Sequence, residues 1–90
     1  MSIKAVANTS VLSDTHVQVA ASRYQYILNS NTTTVANVEI GANSTTVFAS
    51  VLVLPSSGVV IDCGNTTNFI SLNTDVSTVY RTPVAGGSNQ

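Results

Sequence analysis

The sequence predicts an all-β domain, built as a small antiparallel β-sandwich or jelly-roll-like barrel of about eight short strands. Apolar residues alternate with polar ones at a period of two, which is the period of strands. Val and Thr, which lose side-chain freedom in helices, make up 26 of the 90 residues. Turn residues recur at a spacing of roughly 8–12 positions, which is typical of sandwiches and barrels.

Four strands are predicted in the first half of the chain. Residues 3–7 form a short edge strand or an arm, because apolar residues stand at alternate positions. Residues 16–20 alternate Val with His and Gln, and residues 23–29 place two tyrosines and a leucine on one face. A polar loop of Asn, Ser and Thr then leads to a fourth strand at residues 35–40.

The second half contributes four more strands. Residues 46–54 form the longest, with Val47, Ala49, Val51 and Val53 predicted on one face and Phe48, Ser50, Leu52 and Leu54 on the other. Shorter strands are predicted at residues 59–63, 68–73 and 76–81.

The turns between these strands have suitable chemistry. The turn at residues 41–44 is predicted to hold a left-handed backbone at Gly41 or Asn43. In the turn at residues 55–58, Pro55 supplies a fixed φ and Gly58 takes the last position. The sequence thus divides into an N-terminal arm or edge strand (1–8), a β-sandwich domain (9–82) and a flexible C-terminal tail (83–90).

The scarcity of charge excludes several classes of function. Only seven residues are Asp, Glu, Lys or Arg, or 8%, and the net charge is −1. Charged residues make up about 25% of an average globular domain. With three cations, the chain lacks the basic face that nucleic-acid binding requires. The longest apolar stretch, residues 47–54, is far shorter than the roughly 20 residues that span a bilayer. We therefore expect no nucleic-acid or membrane partner, and no secretory signal is visible.

No motif in the sequence carries catalytic chemistry. The chain has one histidine, His16, and one cysteine, Cys63. These two residues are too few to ligate a zinc ion, and no pattern in the sequence pairs them as a catalytic Cys and His. Asp14 shares a strand face with His16, but a catalytic triad also needs a serine. Nothing in the sequence selects one of the twelve serines for that role. We expect Cys63 to be a buried, inert thiol, because it follows the apolar run at residues 59–61. The expectation is a protein that is not an enzyme and binds no cofactor or metal.

The same lack of charge favours assembly. Small domains protect exposed strand edges with Lys, Pro or bulges, and this chain has one Lys and two Pro. Its core is also near the lower size limit for independent stability. We expect a homo-oligomer or a subunit of a larger shell. The candidate interface residues are Ile3, Ala5 and Ala7 in the arm, Tyr24 and Tyr26 on a strand, and Pro83 and Val84 in the tail.

Four segments of the chain resemble a known family. Residues 23–31 (RYQYILNSN) look like the aromatic strand and N-x-N loop of small tailed-phage virion proteins. Residues 58–64 (GVVIDCG) are similar to their second-half strand and turn, and residues 68–72 and 76–81 resemble the closing strands.

The resemblance, which covers residues 16–84, implies a β-sandwich capsid decoration (cement) protein that stabilises a phage head by bridging capsomers. Its partner would be the major capsid protein, and its location the virion surface after synthesis in the host cytoplasm. Two alternatives stay open. One is a tail, neck or fibre-base subunit, and the other is a carbohydrate-binding β-sandwich module with Tyr24 and Tyr26 as its site.

Overall fold

The computed structural model describes residues 4–85, which contain eight strands and no helix. The predicted all-β fold and number of strands are confirmed. The strands are β1 (Ser10–Val11), β2 (Val17–Gln18), β3 (Tyr24–Asn29), β4 (Ala36–Gly41), β5 (Val47–Val53), β6 (Ser57–Asp62), β7 (Phe69–Leu72) and β8 (Val79–Pro83).

The strands form two four-stranded antiparallel sheets, which follow the path of one long hairpin folded over on itself. Sheet one has the order β1-β8-β3-β6, and sheet two has the order β2-β7-β4-β5. The nested pairs β1–β8, β2–β7, β3–β6 and β4–β5 are all antiparallel. This order, in which each strand pairs with its counterpart from the other end, is that of a jelly roll.

The core lies between the two sheets and is built from one face of each strand. In β3, Gln25, Ile27 and Asn29 are buried, while Tyr24 and Tyr26, which alternate with them, are only half-buried. Apolar burial of this kind is the main favourable contribution to folding. The buried apolar residues are Leu12, Val19, Ile27, Ala36, Val38, Ile40, Val53, Ile61, Cys63, Ile70, Leu72, Val79 and Val84.

The first strand of the structure begins after the segment that was predicted as an edge strand or an arm. Within the described part of residues 3–7, Ala5 forms only an isolated antiparallel bridge with Val84, and the first strand is Ser10–Val11 instead. That short segment pairs with β8 in the register Ser10–Arg81 and Val11–Tyr80. Its two exposed residues have no alternation that a sequence pattern could detect.

The predicted role of two glycines is also wrong. Gly41 does not have a positive φ, and neither does Asn43. Gly41 ends β4, where a β-carbon would collide with the backbone carbonyl of Thr46. Gly58 lies within β6 rather than at the end of a turn, and the left-handed residue of the β5–β6 turn is Ser56. Close approach rather than φ therefore distinguishes both positions, with the backbone of Thr46 as the obstacle at Gly41 and the side chain of Tyr26 as the obstacle at Gly58.

A β-bulge changes the faces of β5. The register steps from Ile40–Ala49 to Gly41–Val47, so that Phe48 is the extra residue. Directly paired residues share a face, so Ala49 lies on the core side with Ile40, whereas Val47 lies on the opposite side with Gly41. The prediction that Val47 shares a face with Ala49 is wrong for this reason.

Candidate interaction surfaces

The outer face of sheet one carries all three tyrosines of the chain and is called here the tyrosine face (Val11, Tyr24, Tyr26, Leu28 and Tyr80). Tyr80 pairs with Val11 of β1 on one side and with Leu28 of β3 on the other. These three residues therefore form an apolar row across three neighbouring strands. Val11 is 56% exposed and Leu28 is 36% exposed, so the row is open to a partner.

Two of the tyrosines have defined neighbours on this face. Tyr26 lies over Gly58, because a β-carbon at residue 58 would collide with the tyrosine ring and hydroxyl. At the edge of the face, the Arg23 guanidinium stacks 4.9 Å from the centre of the Tyr24 ring. These contacts hold both rings in place, which lowers the entropy that a partner would have to remove.

An ion pair forms one corner of the tyrosine face. Arg23 Nε and Nη2 donate to the two carboxylate oxygens of Asp62 at 3.0 and 2.7 Å. The hydrogen bond from Arg23 is the main cause that holds the pKa of Asp62 below its usual range, and the backbone N–H of Gly64 adds to it. Because the pair is exposed to solvent, we assign it an orienting role rather than a large contribution to stability.

A second apolar surface is the β5 edge, which consists of β5 and Leu54. Phe48, Leu52 and Leu54 are 58%, 67% and 63% exposed, although all three are large apolar residues. β5 is an outer strand of sheet two and pairs only with β4. No charged residue occurs from residue 40 to residue 61. Nothing in this stretch supplies the charge with which proteins usually protect a long edge strand.

The structure divides the residues that the sequence predicted as an interface. Tyr24 and Tyr26 are half-buried on the outer face of sheet one, and Ala5 and Ala7 are exposed. Ile3 lies outside the described residues. Pro83 and Val84 are buried within the chain, since β8 continues to Pro83 and Val84 bridges to Ala5, so they offer little surface to a partner.

The arm and the start of the tail pair with each other. Val6 N–H donates to the carbonyl of Pro83 at 2.9 Å, and Ala85 N–H donates to the carbonyl of Lys4 at 2.8 Å. The ordered chain therefore continues beyond the predicted boundary at residue 82. Residues 86–90 of the predicted tail lie outside the described residues.

Sequence reasoning missed several members of these surfaces. Val11 and Tyr80 joined the tyrosine face only through the pairing of distant strands, whereas alternation had already placed Leu28 on one face with Tyr24 and Tyr26. Leu52 and Leu54 had a detectable signal, since residues 46–54 are apolar on both faces in a stretch that is free of charge. A strand that is apolar on both faces is typical of a central strand buried on both sides, so the pattern did not distinguish that position from an exposed edge.

His16 and Asp14 do not form a hydrogen-bonded pair among residues 4–85. His16 is half-buried and Asp14 is exposed. Within the same part of the chain, no group of three or more His, Cys, Asp or Glu is placed to hold a metal ion. A cleft at one end of the sandwich is lined by the β1–β2 and β7–β8 connections and includes Asp14 and Asp75. No helix long and apolar enough to cross a membrane occurs among the described residues.

Cys63 is buried, as the sequence predicted, at 1% exposure. Burial raises the pKa of the thiol to about 11, and the nearby Asp62 carboxylate contributes in the same direction. The thiolate is the reactive form of cysteine, so this side chain is poorly suited to nucleophilic chemistry at neutral pH.

The raised pKa of Cys63 predicts a loss of stability in alkaline solution. Between its ordinary pKa and about 11, the unfolded chain has lost the thiol proton while the folded chain retains it. The unfolded state therefore binds fewer protons, and the free energy of unfolding falls as pH rises through this window. Urea denaturation at a series of pH values should show a steeper decline for the wild type than for Cys63→Ala. Equal slopes would contradict the prediction, because the two proteins differ only at residue 63.

Comparisons with known proteins found no matching family model, no matching curated protein and no matching solved structure. The surfaces are therefore interpreted from their own chemistry.

Proposed function

We propose that this protein is a structural subunit of a virion, a capsid decoration protein that stabilises a phage head by bridging capsomers. The observation that carries the proposal is the tyrosine face, an aromatic and apolar surface on the outside of sheet one, with a single ion pair at its corner. Tyrosine and other aromatic residues are enriched in protein interfaces, and charged residues are depleted at the interface core. Jelly rolls are found in viral capsid proteins, which supports the proposal by analogy of fold alone.

The proposed mechanism is the addition of contact area between capsomers. The tyrosine face packs against the shell and removes the half-exposed rings and Leu28 from water. Each square ångström of buried apolar surface contributes about 25 cal/mol before the costs of association. Repetition around the shell then turns a modest contact into a large effect on the whole particle.

A tail, neck or fibre-base subunit would use the same surface on another part of the virion. Mass spectrometry of purified heads and tails, separated from each other, decides between these locations. The carbohydrate-binding alternative also falls on Tyr24 and Tyr26. The face is, however, the outside of a sheet, whereas ligand sites are usually concave with convergent polar groups.

The proposal predicts that a charge on the tyrosine face weakens attachment to particles by at least about tenfold. Val11→Asp adds a carboxylate to an exposed position of β1, where unpaired burial against a partner is costly. Gln18→Asp is the matched control, since Gln18 is exposed on the outer face of β2 in the other sheet. Co-sedimentation with particles that lack the protein measures attachment.

We expect the wild type and Gln18→Asp to bind, and Val11→Asp to lose at least about tenfold in affinity, which corresponds to about 1.4 kcal/mol. Circular dichroism confirms that each variant is folded. Equal binding by all three proteins would rule out the tyrosine face as the contact. Absence of the wild type from every particle fraction would overturn the proposed function itself.

A further inference from the structure

We propose that two copies of this protein pair through β5, so that their second sheets join into one continuous antiparallel sheet across a twofold axis at Val51. This inference concerns the β5 edge and is independent of the proposed virion function, which rests on the tyrosine face.

The free side of β5 requires a strand as its partner. β5 is the longest strand and lies at the end of the order β2-β7-β4-β5, with β4 on one side only. A strand in this position presents a row of backbone N–H and C=O groups that pair with no other strand. The backbone groups of a second strand have the same spacing and can hydrogen-bond to this row, whereas those of a helix cannot. The chemistry of the edge therefore selects an extended polypeptide over other kinds of ligand.

The other strand edges are less suited to such pairing. β1 and β2 are two residues long, and β1 is continued by the N-terminal segment that pairs with residues 83–85. β6 has six residues, but it ends at the charged Asp62, and its Gly58 lies beneath Tyr26. β5 alone combines length, lack of charge and exposed apolar side chains among the described strands.

The β5 edge has no feature that would prevent pairing over its central part. The bulge lies at the N-terminal end of the strand, and residues 49–53 keep a regular register with β4. Pro55 comes after the end of the strand. A bulge, a proline or an inward charge within these five residues would have protected the edge.

The sequence of β5 is complementary to itself, which identifies a second copy as the occupant. Antiparallel pairing about Val51 sets Ala49 opposite Val53 and Ser50 opposite Leu52. No residue in this stretch carries a charge, so no like charges meet across the axis. The exposed Leu52 of each copy lies diagonally across the axis from its counterpart, and the same patch serves both subunits, as a twofold interface requires.

The test compares two leucine-to-lysine variants by analytical ultracentrifugation. Leu52→Lys places a like charge beside the twofold axis, while Leu28→Lys makes the same change on the tyrosine face. Protein concentration is varied from about 1 µM to about 1 mM, a range that covers weak and moderate dimers. Circular dichroism and thermal unfolding of each variant establish that it is folded.

We expect the wild type and Leu28→Lys to form dimers, and Leu52→Lys to dissociate at least about tenfold more readily. A Val51→Cys variant should form an intermolecular disulfide on mild oxidation, because residue 51 pairs with its own copy on the axis and the native Cys63 is buried. A wild type that stays monomeric over the whole range overturns the inference. So does a dimer or a higher oligomer that Leu52→Lys leaves intact.

Particle binding separates the two proposals. A wild-type monomer that still binds particles would refute the β5 pairing and leave the virion function standing. A β5 dimer that binds no particle would do the reverse.

Discussion

Replacing Asn29 with alanine is expected to lower the free energy of unfolding by about 3 kcal/mol, because three backbone groups lose their partner. Asn29 is fully buried at the end of β3 in sheet one. Its Nδ2 donates to the carbonyls of Thr34 and Val53 at 2.8 and 3.0 Å, and its Oδ1 accepts from the N–H of Asn31 at 3.1 Å. One side chain thus connects sheet one, the β3–β4 loop and the end of β5.

Asn43→Ala provides the matched control. The Oδ1 of Asn43 accepts from the N–H groups of Thr45 and Thr46 at 2.9 Å each, in a loop that is exposed to water. Water replaces these hydrogen bonds, so the cost should be below about 1 kcal/mol. Urea denaturation of both variants at one fixed protein concentration measures the difference. Similar losses for the two variants would show that Asn29 has no special role between the sheets.

Replacing Gly41 with alanine is expected to cost a similar amount, about 3 kcal/mol, for a steric reason. The added methyl group would overlap the carbonyl oxygen of Thr46, which accepts the N–H of Ala42 at 3.1 Å and closes the β4–β5 hairpin. A backbone oxygen in a closed hairpin has little freedom to move away. The variant should lose register next to the bulge, and the β5 edge with it.

Gly58→Ala tests whether an added β-carbon is as costly when it meets a side chain as when it meets the backbone. The β-carbon at residue 58 would meet the hydroxyl end of Tyr26, which can turn away about its side-chain torsions. We expect a loss of no more than about 1 kcal/mol, together with a shift of the Tyr26 ring signals in an NMR spectrum. If Gly58→Ala is the more damaging of the two, the steric account of Gly41 is wrong.

The candidate surfaces were only partly predictable from the sequence. Tyr24 and Tyr26 were identified because alternation places them on one face of a strand. Tyr80 comes from a strand more than fifty residues away, and its position beside Leu28 depends on the register of β3 with β8. No local pattern encodes such a register, since pairing is fixed by which faces the whole fold buries.

The backbone geometry of the β2–β3 connection was also not predictable from the sequence. Ala20 and Ala21 both have positive φ in the β2–β3 connection, although alanine has no intrinsic preference for it. The hydrogen bonds from Val19 and Ala20 to the carbonyls of Asn68 and Thr66 hold this connection against the β6–β7 loop. Tertiary contacts impose this conformation, and the turn propensities of the residues therefore do not predict it.

The sequence by itself determined the all-β class and the number of strands, because these follow from local alternation and from the rigidity of Val and Thr. It also determined that the chain lacks the charge to protect long edges. Only the tertiary structure decided which strands became edges, that Pro83 and Val84 are buried and that the arm pairs with its own chain. The physical reason is that edges and faces are properties of the sheet order, and that order is set by long-range pairing between the two ends of the chain.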